Sequence, residues 1–277
     1  MRSVDSARSD RDVELQVAPP TRLATYLRGG AVDFETDQEI ADELYASHRA
    51  GVEAFQAVSA KVYAFVERAV RHLTDEVGIR QYLVMGASTS GQTNVHEMAQ
   101  ATAPEARAVY VLFDPLMLVY AHRLGRGTPG MTAYVRARMS DVDRVISRAR
   151  GTLDLTRPVG LVMPANLAYV RKPERAAELV RRYLRPLAPG SHLVATHHAS
   201  DLLVEEVAPV YRRIAELAAQ RQAWEVAPRS RGEIEALLPK LELLDPGVVP
   251  VERWRPADGD TEKPIKVAVH AWVARKR

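Results

Sequence analysis

The chain has 277 residues, of which 47% are hydrophobic and 26% are charged, a mixture typical of a globular protein. Because it contains no cysteine, disulfides, thiol nucleophiles and thiolate zinc sites are excluded. No apolar run reaches the roughly 18 residues of a membrane span, and the first residues lack the apolar core of a signal peptide. We therefore expect a cytoplasmic protein with no membrane partner. A net charge of +3 permits an anionic partner but is too small to indicate nucleic acid by itself.

The first part of the chain differs in composition from the rest. Residues 1–20 alternate charged and small polar residues, which predicts a mobile arm. Residues 21–277 contain no linker or internal repeat, so we predict a single domain. Within it, residues 21–77 are predicted to form a helical cap and residues 78–277 an α/β core.

The predicted cap contains a glycine pair between two helical patterns. Apolar residues at helical spacing predict helices over 37–47 and 52–77. Gly29-Gly30 precedes Asp33 and Phe34, which indicates either a loop that folds back over a site or an ordinary turn.

The core alternates short apolar runs with helical patterns. Residues 82–85 form an apolar run without a polar interruption, which is typical of a buried parallel strand. Such alternation predicts a doubly wound, mainly parallel sheet. Further strands are predicted over 108–113, 132–135, 159–163, 191–196, 241–244 and 266–274.

A polar loop follows the first predicted strand. Gly86 ends that strand, and Asn94 with Glu97 predicts the start of a capped helix. Backbone N–H groups at such a helix start favour an anion or a nucleotide, although any strand–helix connection has the same pattern. The loop side chains that could contact this ligand are Ser88, Ser90, Gln92 and Thr93.

Several segments together resemble one family, the actinobacterial S-adenosylmethionine (SAM) methyltransferases. The resemblance begins near Thr21 and implies a Rossmann-like class I methyltransferase fold with SAM as cofactor. It is carried by the segments YLRGG, RAVRHLTDEVGIRQYL, NVHEMAQ, APEARAVYV, LAPGSHLVATH and DPGVVPVERWRP. It implies cofactor contacts at Gly86, the loop through Thr93 and Asp114, and substrate contacts at Tyr26, Gly29, Gly30, Asp33, Phe34 and His96.

The positions that hold SAM in this family have changed in this chain. The resemblance implies a carboxylate on the ribose hydroxyls at the end of the second strand, where Leu112 now lies. It implies an acidic residue near the adenine after the third strand, where Arg136 and Arg138 now lie. An unpartnered buried hydroxyl costs about 1–3 kcal/mol, so we expect standard SAM binding to be weak or lost. Arginines and loop hydroxyls suit a phosphate or carboxylate instead.

Polar residues also follow the fourth and fifth strands. His197 or His198 could act as a general base, and Asn166 and Tyr169 occupy the place where class I enzymes hold polar groups that face the substrate. A structural role for each histidine remains the alternative. The histidine spacing predicts no metal site.

Three functions remain open at this stage. The first is an enzyme of secondary metabolism that transfers a group other than methyl to a small molecule, with aminoacyl-tRNA or acyl-coenzyme A as candidate anionic donors, or that rearranges its substrate. The second is an active SAM-dependent methyltransferase acting on a small-molecule oxygen or nitrogen nucleophile. The third is a non-catalytic regulatory or scaffold protein. The sequence does not indicate an oligomeric state.

Overall fold

A computed structural model of the chain describes residues 35–87, 93–124, 130–202, 216, 226–238, 240–256 and 268–277. Several sequence predictions fall outside the described residues: the arm, Tyr26, Gly29, Gly30, Asp33, Phe34, Ser88, Ser90 and Gln92.

The described strands form one sheet with a mainly parallel core. The strands are β1 Gln81–Met85, β2 Arg107–Leu112, β3 Thr132–Arg136, β4 Gly160–Pro164, β5 His192–His198, β6 Leu241–Leu243, β7 Val249–Pro250 and β8 Val269–Lys276. Their order in the sheet is β3-β2-β1-β4-β5-β8-β6, with β7 paired to β8. Strands β1 to β5 are parallel, and β8 runs antiparallel to β5, β6 and β7. This confirms the predicted Rossmann-like methyltransferase fold.

Helices cover both faces of this sheet, which explains why the central strands are apolar on both sides. The described helices are α1 Glu35–Asp75, α2 Val95–Gln100, α3 Pro115–Leu124, α4 Val142–Ala149, α5 Pro173–Leu184 and α6 Arg231–Ala236. Every residue of β1 is buried. Leu83 and Met85 belong to a cluster of buried apolar side chains that includes α4 and α5, whereas Tyr82 and Val84 belong to a second such cluster that includes α1 and α2.

The long helix α1 differs from the sequence prediction. The two helices predicted over 37–47 and 52–77 form one continuous helix of 41 residues. Gly51 lies inside it; a glycine costs only about 1 kcal/mol relative to alanine in a helix, which a long packed helix can offset. The second half packs on the sheet through Phe65, Val70 and Leu73. No helix in the described ranges is long and apolar enough to cross a membrane.

Candidate functional site

The five parallel strands bring their carboxyl ends to one edge, where open α/β sheets bind ligands. We call this the carboxyl edge. At the end of β1, Gly86 has a φ of 98°, a conformation that favours glycine, and its N–H donates to the Val111 carbonyl at 2.9 Å. The turn predicted at Gly86 is therefore present, and it directs the chain away from the sheet.

The start of α2 has the cap that the sequence predicted. The Asn94 N–H donates to Glu97 Oε2 at 2.7 Å, which is one half of a capping box. Thr93, just before it, is exposed. With only six residues, α2 contributes a small dipole, so its start does not by itself define an anion site.

His96 lies beneath this helix start and is almost completely buried. The Tyr110 hydroxyl accepts from the His96 backbone N–H at 2.9 Å and lies 2.8 Å from His96 Nδ1. Because the hydroxyl accepts one bond, it can donate its own proton to Nδ1, which leaves the hydrogen of the imidazole on Nε2. Nε2 is buried and has no hydrogen-bond partner among the described residues. Burial lowers the His96 pKa, so this imidazole is neutral.

The end of β2 is apolar where the resemblance implies a ribose-binding carboxylate. Leu112 is 6% exposed and forms a cluster with Met117 and Ala121 of α3. Phe113 is 42% exposed. Asp114 is retained at the position after β2 that the resemblance implies, but it is buried, not exposed at the surface.

The end of β3 brings positive charge to the same place. Arg136 and Arg138 are both exposed. The Arg138 guanidinium lies over the Phe113 ring, 4.8 Å from its centroid, which is a cation–π contact. The described residues at the ribose and adenine positions thus offer an aliphatic side chain, an aromatic ring and cations. They do not fit the diol and the positively charged sulfonium of SAM in the way that the resemblance implies.

The end of β4 presents Asn166 through a strained residue. Ala165 has a φ of 59°, in the left-handed region, and its N–H donates to Thr196 Oγ1 at 2.9 Å. Asn166 begins a short 3₁₀ turn that ends at Tyr169, and its Oδ1 is buried without a partner in the part of the chain that the structure describes. Strained backbone and an unsatisfied amide oxygen are typical of ligand sites.

His197, predicted as a base, has both ring nitrogens bonded within the protein. Nδ1 donates to the His198 carbonyl at 2.8 Å, and Nε2 accepts from Arg229 Nη1 at 2.8 Å. Burial, together with the nearby Arg229 charge, lowers the His197 pKa to about 4. A fully bonded imidazole with such a pKa is a poor base at neutral pH. The observed bonds favour a structural role for His197, while its catalytic role stays a prediction.

Arg229 is the residue that the sequence reasoning missed at this place. It is 3% exposed, and besides His197 its guanidinium donates to the carbonyls of Leu167, Val170 and Arg171. It therefore ties β5 to the turn after β4. The sequence carries no signal for this because arginine is rarely buried and Arg229 lies in an irregular segment.

His270 is a second missed residue, and its arrangement is closer to that of an oriented base. It pairs with His197 across β5 and β8. His270 Nε2 lies 2.7 Å from Asp201 Oδ1, whereas Nδ1 has no hydrogen-bond partner among the described residues. A carboxylate that orients an imidazole is the usual support for a general base. His198 lies beside this pair, part-buried, with its pKa lowered to about 4 by burial. Within the described ranges, no group of three or more acidic or histidine side chains could share a metal ion.

Comparisons with known proteins agree with this fold. Residues 6–277 match the family model described as S-adenosyl methyltransferase. The chain is 34% identical to a DUF574 family protein from Streptomyces avermitilis, with a TM-score of 0.82 over 96% of this chain and 100% of that one. It is 29% identical to a putative methyltransferase from Thermobifida fusca, with a TM-score of 0.80 over 96% and 97% of the two chains. No curated protein matches the sequence.

Proposed function

This chain belongs to the S-adenosyl methyltransferase family, and we propose that it is a member whose carboxyl edge no longer binds SAM in the usual manner. In this proposal the protein is an enzyme that converts a small molecule by transferring a group other than methyl. The fold and the position of the site come from the family, whereas the change of chemistry is inferred from the residues at the cofactor position.

One observation carries the proposal: Leu112 is buried in an apolar cluster at the ribose position, beside an arginine stacked on Phe113. A ribose diol needs acceptors, and each unsatisfied buried polar group costs about 1–3 kcal/mol. The sulfonium of SAM gains nothing from Arg136 and Arg138, which repel a cation. An adenosine group bound here would lose its usual contacts and gain no replacement among the described residues.

The exposed arginines suggest the charge of the replacement donor. Arg136 and Arg138 lie at the carboxyl edge, where they could contact the phosphates of an aminoacyl-tRNA or an acyl-coenzyme A. In either case an amine of the acceptor would attack the acyl carbonyl carbon, an amide would form, and the tRNA hydroxyl or the thiol would leave. His270 with Asp201 could take the proton of the attacking amine.

Calorimetric titration with SAM and S-adenosylhomocysteine tests the loss of the cofactor. For the wild type we expect dissociation constants above about 0.1 mM. Leu112→Asp restores the carboxylate and should tighten S-adenosylhomocysteine binding by about tenfold, at some cost in stability. Val119→Asp, at an exposed position of α3, is the control for an added carboxylate. Micromolar binding by the wild type would overturn the proposal.

Binding of total tRNA at low and moderate salt tests the donor. Phosphate contacts release counterions, so affinity should fall steeply with salt and should weaken in Arg136→Ala/Arg138→Ala. If the affinity for tRNA changes neither with salt nor in this variant, aminoacyl-tRNA is excluded as the donor. A titration with acyl-coenzyme A then tests the remaining donor.

The second candidate is a SAM-dependent methyltransferase acting on a small-molecule nucleophile. It is favoured by the family itself and by the retained Gly86 turn and Asp114. Under this function, micromolar SAM binding would be found in the wild type, and turnover would produce S-adenosylhomocysteine. If neither SAM nor an anionic donor binds, a cofactor-free rearrangement and the scaffold role are the two functions that remain.

A further inference from the structure

A cavity lies at the opposite edge of the sheet, away from the carboxyl edge. It has a volume of about 620 Å³ and lies at the amino ends of β1, β4 and β5, beside the end of α1. We call it the amino-edge cavity. Its lining includes His72 from α1, Gln81 from β1 and His192 from β5. Nothing in the proposed function uses this cavity.

Positive charge dominates its lining. Four arginines line it, Arg80, Arg157, Arg255 and Arg275, against the two carboxylates Glu76 and Glu242. Both carboxylates have a cationic or hydrogen-bonding neighbour: Glu76 Oε2 lies 2.9 Å from His72 Nδ1, and Glu242 Oε2 lies 3.7 Å from Arg277 Nε.

Two of the four arginines are not fixed by a hydrogen bond. Arg157 and Arg275 are exposed, and within the described ranges their side chains form no hydrogen bond or ion pair. Their acidic neighbours are Asp154, three positions before Arg157, and Glu242, which lies opposite Arg275 in the β6–β8 strand pair. By contrast, Arg80 is held by Glu105 at 2.8 Å. The guanidinium groups of Arg157 and Arg275 can therefore bind a ligand without breaking a hydrogen bond.

Arg255 is fixed at the rim of the cavity by its surroundings. Its φ of 42° lies in the left-handed region, which is costly for a residue with a side chain. Its Nε donates to the Asp245 carbonyl at 3.1 Å, and its guanidinium lies over the Trp254 ring at 5.1 Å from the centroid. Nη1 lies against the His72 ring, 2.9 Å from Nδ1 and 3.0 Å from Nε2. These contacts hold a cation in one orientation before any ligand binds.

A buried histidine gives the second, independent indication of a ligand. His192 lines the cavity and is 2% exposed, yet its Nδ1 has no hydrogen-bond partner in the part of the chain that the structure describes. On the adjacent antiparallel strand β8, Arg275 lies directly opposite His192. A buried polar atom without a partner is destabilising, and such atoms are explained most often by a ligand, a water or an ion.

We propose that the amino-edge cavity binds a small molecule that carries a phosphate group. Arg157, Arg255 and Arg275 line the cavity from three separate segments: the turn before β4, the segment after β7, and β8. A tetrahedral phosphate has oxygens in several directions and can accept from several guanidinium groups, whereas a planar carboxylate can serve fewer.

Calorimetric titration of the full chain with pyrophosphate, at constant ionic strength set by chloride, tests this proposal. We expect one molecule bound per chain at this cavity. Titration of Arg136→Ala/Arg138→Ala, which lacks the two cations of the carboxyl edge, should give the same affinity and so separates this site from any phosphate bound at that edge. Arg157→Ala/Arg275→Ala should weaken binding by at least about tenfold, because each charge-assisted hydrogen bond contributes that much. The matched control is Arg144→Ala/Arg148→Ala on α4, which removes the same charge from an exposed helix face and should leave the affinity unchanged within about twofold.

No pyrophosphate binding, equal weakening by the α4 control, or tighter binding of citrate than of pyrophosphate would each overturn the proposal. None of these outcomes depends on whether the carboxyl edge binds SAM.

Discussion

The two halves of the carboxyl edge hold their polar groups in different ways. At the ends of β2 and β3, the half that resembles a cofactor site, Leu112 is buried among apolar residues and Arg136 and Arg138 are exposed. At the ends of β4 and β5, Arg229 and His197 are buried and bonded to each other and to backbone carbonyls. Substitutions of the polar residues in the first half should therefore change the free energy of unfolding little. Substitutions in the second half should change it strongly, because its polar groups are buried and bonded.

This difference suggests how a cofactor could be lost while the scaffold is retained. A carboxylate that contacts only a ligand contributes little to folding, so its replacement by Leu112 improves burial and removes an acidic group from the core. A change at Arg229 would instead leave several buried carbonyls without donors. Three experiments test whether the two halves of the carboxyl edge differ in their contribution to stability.

Removing the buried guanidinium should have a large effect on stability. In Arg229→Ala the carbonyls of Leu167, Val170 and Arg171 lose their donor, and we expect the free energy of unfolding to fall by about 3–4 kcal/mol in urea denaturation. Arg231→Ala is the control, because Arg231 is exposed and, among the described residues, its side chain pairs with Glu235 on the same helix, a contact worth about 0.5 kcal/mol or less. A loss below about 1 kcal/mol in Arg229→Ala would show that the network is not part of the fold.

The protonation of His197 should make stability depend on pH. Its pKa is about 4 in the folded protein and about 6.5 when unfolded, so between these values the unfolded chain binds the proton. The contribution is fully present above pH 6.5 and is lost as the pH falls towards 4, by up to about 3 kcal/mol.

His197→Gln isolates this contribution, because the glutamine oxygen can still accept from Arg229 but does not titrate. Urea denaturation from pH 7.5 to pH 4 should show a smaller decline for the variant than for the wild type. His192 also has a pKa of about 4 and contributes equally to both proteins, so it cancels in the difference. His198 titrates in the same range, and burial, together with the neighbouring His197, lowers its pKa, so His198→Gln and the double variant are measured beside His197→Gln to separate the two histidines. Identical declines would mean that His197 is not kept neutral by the fold.

The cofactor half should tolerate change. Arg138→Ala removes an exposed cation–π contact with Phe113, which contributes about 0.5–1 kcal/mol at most. The unfolding midpoint in urea should therefore change little. A loss greater than roughly 2 kcal/mol would mean that the two halves are equally integrated into the fold.

The sequence predicted the architecture well because the central strands are apolar on both faces. The run at 82–85 is typical of a buried strand, and parallel strands place their carboxyl ends at one edge. The capping pair Asn94 and Glu97 was also predictable, because it is local. By contrast, the two helices predicted over 37–47 and 52–77 are one continuous helix, α1.

The polar networks could not be predicted because their members are far apart in the sequence. Arg229 and His197 are 32 positions apart, and His270 and Asp201 are 69 positions apart. No periodicity marks such pairs, and only the return of β8 beside β5 brings the second pair together. The charge of the amino-edge cavity was hidden for the same reason, since its arginines come from four separate segments.

The position of β8 in the sheet also affects how the protein is made. Strand β8 follows every other described strand in the sequence, yet it pairs with β5 over seven residues and with β6 and β7. While the chain emerges from the ribosome, β1 to β5 can assemble, but the outer edge of β5 has no partner until residue 276 has been synthesised. An open edge of this kind is a template for pairing with another chain. The nascent chain therefore exposes this strand edge until β8 pairs with β5.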